Sequence, residues 1–387
     1  IISFCLFNFE DIFHQKYDFF STVFEYLVSD YNKDSGKYGE YFTPHAVATI
    51  MARLLVSPDE IIRSAATCDP TAGTGTLVMA LAHQIGEGNC SIFTQDQSQK
   101  STTMLRLNLI LNNLVSSLPN VIQGDSLIDW GHESKNGTFD KMFDYVISNP
   151  PFKEDFSQTV TNAAFQNTDR FFAGIPNVPK GDKQKMEIYL VFIQHILYIL
   201  KDTGKAAVVV PTGFLTASAK IPLTIRKKLV DKGWLRGVVS MPSNIFANTG
   251  TNVSVVFIDK GKKDDKVILI DASKLGTTEK VDKNQRTVLS TADEDKIVNT
   301  FRSMKNVDDF SKVVSLEEIK EKKYSFSAGQ YFDIKIDYVD ITEEEFNRRM
   351  TEYKSTLAKQ FEESHKLEEE IMKQLASLKF NEDVKGE

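Results

Sequence analysis

The segment Asp69-Pro70-Thr71-Ala72-Gly73-Thr74-Gly75-Thr76-Leu77 closes a short apolar run and opens an apolar helical pattern over residues 77–84. Glycines at a strand-to-helix turn let the backbone approach a ligand closely, and the N-terminus of the following helix favours negative charge. The spacing disfavours two common nucleotide loops. A dinucleotide fingerprint needs a third glycine where this chain has Val78, and a triphosphate loop needs a lysine that does not follow. An acid at the strand tip with G-x-G just beyond it suits a ligand carrying both an amino acid and a ribose. Asp69 can meet an ammonium, and Gly73 and Gly75 leave room for neighbouring ligand atoms. Asp96, 21 residues past Gly75, stands where an acid reaches ribose hydroxyls. S-adenosylmethionine is the ligand that fits, a glycine-rich structural turn being the alternative. Asp125, in Gln123-Gly124-Asp125-Ser126 after a third apolar run, is placed to accept a hydrogen bond from the cofactor's adenine, although Gly-Asp alone marks only a turn.

Outward from this loop, short apolar runs alternate with helical patterns over residues 38–260, the signature of a doubly wound α/β fold with helices on both faces of a parallel sheet. Strands are predicted over 91–94, 145–148, 206–210 and 238–241, and helices over 44–55, 77–84, 102–114, 186–200 and 221–232. The runs 253–258 and 267–270, separated by a stretch rich in Lys and Asp, read as an antiparallel pair closing the sheet. Residues 261–335 form a mixed, charged extension without recognisable chemistry. At the start, Phe13, Tyr17, Phe20, Phe24 and Leu27 fall at helical spacing within residues 1–37, with a polar loop over 30–39. At the end, residues 336–387 form an arm built on a helix over 341–378. Its apolar positions are Phe346, Met350, Tyr353, Leu357 and Phe361, then, after a phase slip, Leu367, Ile371, Leu375 and Leu378. Such a helix is about 54 Å long from Glu343 onward. With one apolar face and no core of its own it calls for a partner, folding back on the chain being the alternative.

A second motif follows the predicted strand over 145–148, as Asn149-Pro150-Pro151-Phe152. Two prolines at a strand tip end the pairing and fix a rigid backbone. An Asn side chain beside a Pro carbonyl presents two acceptor oxygens, which match the two protons of an NH₂ group. The exocyclic amine of adenine is a poor nucleophile because its lone pair is delocalised into the ring. Two acceptors on its protons draw the nitrogen towards tetrahedral geometry and free the lone pair for attack on a methylsulfonium. Phe152 offers an aromatic face for a base, which must be flipped out of a duplex to arrive, at a cost of a few kcal/mol. Such catalysis is positioning and electrostatics, without metal or covalent intermediate.

The formal charge is −7, from 46 Lys and Arg against 53 Asp and Glu, so the chain is not built to hold duplex DNA unaided. Cys5, Cys68 and Cys90 are scattered without C-x-x-C spacing, which fits a reducing compartment. The longest apolar stretch, 186–200, is too short for a membrane span and contains Glu187, Gln194 and His195. Glu10 and Asp11 follow the apolar start, unlike a secretory signal, and the expected location is cytoplasmic. The histidines show no metal-like pairing, and the clusters Arg226-Lys227-Lys228 and Lys260 with Lys262-Lys263 read as solvated faces.

With the two motifs in this order, the chain resembles the modification subunits of type I restriction–modification systems, DNA adenine-N6 methyltransferases. Gly39-Glu40-Tyr41-Phe42-Thr43-Pro44 is similar to the family's G-x-x-F-T-P segment. The helical stretch leading to Pro211-Thr212-Gly213, then Pro242-Ser243-Asn244-Ile245-Phe246 and Thr249-Gly250-Thr251-Asn252, agree as well. The resemblance implies a mostly parallel seven-stranded sheet of the S-adenosylmethionine-dependent methyltransferase type over 38–260. It implies that Asn149, Pro150, Pro151 and Phe152 handle a flipped adenine. It further implies that Phe42, Thr43, Pro44, Asp69, Pro70, Thr71, Ala72, Gly73, Thr74, Gly75, Asp96 and Asp125, with Asn149, surround the cofactor. Residues 1–37 would be the remnant of a longer helical N-terminal domain, and Thr76 stands where Gly, Ala or Ser is commoner. In such systems a separate specificity subunit reads the DNA sequence, which accounts for the acidity. The helix over 341–378 would dock that subunit, and a restriction subunit with translocase and nuclease activity would complete the complex. N-P-P-F chemistry also serves methyltransferases of RNA bases and of protein glutamine, and a structural subunit with a dead site is a third reading.

Overall fold

The computed structural model describes residues 43–132, 142–246, 251–281, 284–333 and 341–377. The helix expected over 1–37 and the residue Phe42 lie outside them. Residues up to Phe332 form one unit and Asp333 onward a second.

The first unit is organised by strands, most of which bury side chains on both faces. They are β1 (Ala65–Asp69), β2 (Cys90–Asp96), β3 (Val121–Gln123), β4 (Phe143–Ser148), β5 (Leu200–Pro211), β6 (Leu235–Ser240), β7 (Val253–Asp259) and β8 (Lys266–Asp271). β9 (Thr277–Val281) and β10 (Asn284–Val288) form a separate antiparallel hairpin, and β11 (Ser311–Ser315) returns to the main sheet. The order across the main sheet is β11-β8-β6-β7-β5-β4-β1-β2-β3. Pairings from β3 through β5 are all parallel, β7 runs antiparallel between β5 and β6, and β8 is parallel to β6.

Side chains alternate between two cores, as the two-residue period of a strand requires. Along β5, Ala207 and Val209 join one cluster while Ala206, Val208 and Val210 join the other. The first face is covered by α1 (His45–Leu55), α2 (Thr76–Ile85) and α3 (Gln99–Leu111), with a later helix, Thr291–Ser303, completing it. The second is covered by α4 (Tyr189–Ile199) and α5 (Lys220–Asp231). Helices on both faces of a mostly parallel sheet make this the doubly wound α/β class.

Four details correct the sequence reading. The sheet holds nine strands, not seven, because β8 and β11 of the stretch 261–335 extend it; the boundary drawn after residue 260 falls between two strands of one sheet. The runs 253–258 and 267–270 do not pair with each other, since β6 lies between them. Six connecting residues can reach roughly 20 Å, ample to pass over one strand at about 4.8 Å per spacing. α3 stops at Leu111, short of 114, as Asn113 takes the left-handed conformation (φ 58°) and Leu114 donates back to the carbonyl of Leu109. α4 starts only at Tyr189, with a 3₁₀ turn over Lys183–Lys185 ahead of it.

In the second unit, a single helix spans Glu343–Ser377, about 52 Å. Three glutamates in its first turn suit the positive end of the helix dipole. Arg348 and Arg349 both bond to Glu345, and Lys366 to Glu362. Its apolar stripe is exposed, from 38% at Met350 to 65% at Phe361.

Candidate active site

Strand β1 has β2 on one side and β4 on the other. Chain order reverses at this point, so the loops leaving the C-terminal ends of β1 and β4 diverge and open a crevice, the usual ligand position in such sheets. Both sequence motifs leave from those two strands. The glycine loop follows β1, Asn149-Pro150-Pro151-Phe152 follows β4, and Asp96 ends β2.

Hydrogen bonds from several elements hold the loop. Asp96 accepts from the backbone N–H of Gly73 through Oδ2 (2.8 Å) and from that of Ser98 through Oδ1 (2.8 Å). Each of these oxygens keeps a second lone pair. Gly73 has φ +52° and open space where a Cβ would be; Gly75 has φ +91°, and a Cβ there would clash with Leu105 Cδ1. The first glycine therefore exposes backbone, and the second lets α2 begin against α3. Asn108 donates from Nδ2 to the carbonyl of Thr74 (3.2 Å), and Ser126 donates to that of Pro70 (2.6 Å). The amide of Ala72 donates to the carbonyl of Gln95 (3.3 Å).

Asp69 is 1% exposed, and its Oδ1 accepts from the N–H (2.9 Å) and hydroxyl (3.2 Å) of Thr71. The Thr71 hydroxyl lies 2.7 Å from that of Ser148, which joins the glycine loop to the tip of β4. Burial pushes the Asp69 carboxyl up to about 7, and the nearby Asp96 charge adds to this against the hydrogen bonds from Thr71 and Ser148. Burial likewise raises Asp96, and it raises Glu154, with Asp125 and Asp96 contributing. Asp125 is half-buried and caps its own turn by accepting from the N–H of Leu127 (2.8 Å). The Asp96 charge acts on Asp69, and the Asp125 and Asp96 charges act on Glu154, so the strand ends are acidic, which disfavours an anion and suits a cation. S-adenosylmethionine carries positive charge on its sulfur and its ammonium, so the donor set fits it.

At the tip of β4, Ile147 and Ser148 are fully buried, Pro150 is buried, and Asn149 and Pro151 are half-buried. Asn149 donates from Nδ2 to the hydroxyl of Thr43 (3.1 Å), across 106 residues of sequence. Thr43 is 5% exposed, and Pro44 after it caps α1 with φ −58°. Phe152 is half-buried between the two cores, and its ring meets Tyr189 edge-to-face at 6.3 Å. One strand end thus carries Asn149, Pro150 and Phe152, and the next carries the glycine loop with Asp69.

Several residues here had no sequence signal. Ser148 and Asn108 serve the loop through single hydrogen bonds that no spacing announces. Glu154 joins the acidic group because the chain turns back after Phe152, its amide donating to the carbonyl of Met186 (3.1 Å). Arg226, read as part of a solvated face, is 1% exposed and donates to the carbonyls of Phe214, Ala217 and Tyr324. Lys260, read likewise, is 9% exposed and donates to the carbonyls of Leu197 and Leu200. Among the described residues, no three His, Cys, Asp or Glu are grouped to hold a metal ion, and no helix is long and apolar enough to cross a membrane.

The family model for N-6 DNA methylase matches residues 15–338. The chain is 31% identical over 326 residues to the methylase subunit of the type I restriction enzyme MpnII of Mycoplasma pneumoniae, covering 81% of this chain and 57% of that one. It is 29% identical over 388 residues to the MjaIX methylase subunit of Methanocaldococcus jannaschii, covering 95% of this chain and 64% of that one. The methyltransferase subunit of a type I restriction-modification system from Streptococcus thermophilus superimposes with a TM-score of 0.63 at 28% identity, over 76% of this chain and 60% of that one. This chain thus spans about three fifths of the length of these relatives.

Proposed function

The chain belongs to the N-6 DNA methylase family, and we propose on that basis that it transfers a methyl group from S-adenosylmethionine to the N6 of adenine in DNA, as the modification subunit of a type I restriction–modification complex. The observation that carries this reading is the junction of Asn149 and Thr43 beside the glycine loop, at the reversal point of the sheet.

With Nδ2 of Asn149 engaged by Thr43, Oδ1 is left to accept. Together with the carbonyl of Pro150 it can take both protons of the exocyclic amine. That pulls the nitrogen out of conjugation, so its lone pair faces the recess. When bound, the cofactor supplies a methyl group on a positively charged sulfur. Gly73, Gly75 and the loop Asp69-Pro70-Thr71-Ala72-Gly73-Thr74-Gly75 would position it, with Asp96 on the ribose hydroxyls and Asp125 towards its adenine. Phe42 and Pro44 would flank it. Phe152 would stack on the flipped base. As the nitrogen gained the methyl the C–S bond would break, leaving a neutral thioether, and the extra proton on the nitrogen would pass to solvent. Catalysis then rests on orientation and on acceptors fixed before the substrate arrives.

The exposed stripe of the Glu343–Ser377 helix would dock a DNA-specificity subunit, which would hold the duplex that this acidic chain is not built to hold alone. A restriction subunit would join the same complex in the cytoplasm. Labelled S-adenosylmethionine and unmethylated DNA, incubated with the chain alone and then with its specificity partner, test the proposal by mass spectrometry of the digested nucleosides. N6-methyladenine formed only with the partner is the expected result. No label under either condition, despite cofactor binding, would redirect the reading to RNA, to protein glutamine or to a dead subunit.

A further inference from the structure

A carboxamide has two ends of almost the same shape and opposite hydrogen-bonding character. If the Asn149 amide turned over, it would present an NH₂ group to the NH₂ of the base, and the acceptor on which the proposed reaction depends would be gone. A neighbour that engages Nδ2 favours the productive orientation, and in the structure Nδ2 is engaged.

We propose that Thr43 is a positioning residue: its hydroxyl accepts from Nδ2 of Asn149 and so turns Oδ1 towards the amine to be methylated. The contact is 3.1 Å, and Thr43 is 5% exposed, so water does not readily replace it. Thr43 is itself held firmly. The ring of Pro44 restricts the residue before it to extended conformations. The carbonyl of Pro44 accepts from Ala48 as the first bond of α1, and Val47, Ala48, Ile50 and Met51 of that helix are fully buried. The hydroxyl is thus delivered from a rigid element on the first face of the sheet to the tip of β4. This assignment differs from the expectation that Thr43 serves the cofactor, and it rests on the reading of Asn149 as an acceptor for the substrate amine.

Thr43→Val keeps the size of the side chain and removes the acceptor, while Thr43→Ser keeps the acceptor. The first readout is independent of activity. In the full chain labelled with ¹⁵N-asparagine, the Asn149 side-chain signal is identified by its loss in Asn149→Asp. One of its two protons should be shifted downfield by the hydrogen bond in the wild type and in the Ser variant, and not in the Val variant. The second readout is methyl transfer with the specificity partner present. Thr43→Val should lower kcat roughly 10- to 100-fold, as expected for a misoriented group, with KM for S-adenosylmethionine unchanged, and Thr43→Ser should recover most of the rate. Adding Thr43→Val to Asn149→Ala should cost nothing more.

An Asn149 signal unmoved by Thr43→Val would overturn the assignment. So would a Val variant with normal kcat and raised KM for the cofactor, which would place the hydroxyl on the cofactor instead. If the wild-type chain methylates no adenine, the functional reading fails, and the amide signal alone decides whether Thr43 orients Asn149. If the Val variant does not fold, the absence of a shifted amide proton in the wild type overturns it.

Discussion

The crevice at the ends of β1 and β4 and the helix Glu343–Ser377 carry the same kind of sequence signal with opposite structural outcomes. α2, beside the crevice, repeats apolar residues at helical spacing and buries Leu77, Val78, Leu81 and Ala82. The long helix repeats them as regularly, and none of its residues is buried. Periodicity states that an apolar face exists; it does not state what covers it. In the crevice, besides bonds within single turns, Gly73 reaches Asp96, Thr71 reaches Ser148 and Asn149 reaches Thr43. On the helix, the ion pairs given by the structure join residues three or four apart. One region depends on tertiary contacts, while the described ion pairs of the other are local and its apolar residues are exposed.

The largest effect should come from removing the helix. A chain ended after Asp340 should lose its complex with the specificity subunit while keeping affinity for S-adenosylmethionine, as read by co-purification and by titration calorimetry. Co-purification at normal yield would break the contrast, since the stripe would then have no docking role. Next comes Asn149→Ala, which should lower methyl transfer by roughly 10²–10³-fold, on the scale of losing one preorganised polar group in an active site. Cofactor affinity should stay nearly unchanged, and wild-type turnover by this variant would refute the role given to Asn149.

Matched truncations sharpen the contrast in stability. Leu105 is 0% exposed and packs under the glycine loop, so Leu105→Ala should cost about 2–5 kcal/mol in denaturant unfolding. Leu357 is 51% exposed, and Leu357→Ala should change the unfolding of the chain by less than about 0.5 kcal/mol. It should nevertheless weaken partner binding. Equal costs at the two sites would show that the helix stripe is covered within the chain.

The smallest effect is one of pH and belongs to the crevice alone. The Asp69 carboxyl titrates at about 7, raised from the ordinary 3.8 chiefly by burial. A raised carboxyl favours the folded, protonated state, so its contribution to stability is full below about pH 4 and fades as pH rises through 7. A cationic ligand prefers the ionised form, so the sign for binding is reversed. Affinity for S-adenosylmethionine should rise about tenfold between pH 6 and pH 8, for one group titrating near the middle of that range. Asp69→Asn should flatten this dependence in calorimetry. A pH-independent affinity in the wild type would mean that Asp69 holds only the loop.

Much of the crevice was legible because its chemistry is local in sequence. The turn 69–77 and the Asn-Pro-Pro-Phe turn are contiguous, and glycine and proline fix backbone geometry whatever surrounds them. The strands leading into them were legible too, as short and largely apolar runs. Pairing was not: β7 and β8 looked like a hairpin, and only the placement of β6 between them shows that neighbours in sequence need not be neighbours in a sheet. Nor was the partner of a charge. Arg226 and Lys260 read as surface residues because a sequence shows a charge and not the carbonyls that surround it.

The amino-acid sequence by itself determined the α/β class and the two turns, because each follows from periodicity or from the stereochemistry of a few adjacent residues. The tertiary structure alone decided that β1 and β4 lie side by side, that Thr71 reaches Ser148, that Thr43 reaches Asn149 and that Glu154 joins Asp96 and Asp125. Those contacts join residues far apart in the chain. They form only when burial of the apolar strand and helix faces brings the segments together, which no local pattern encodes.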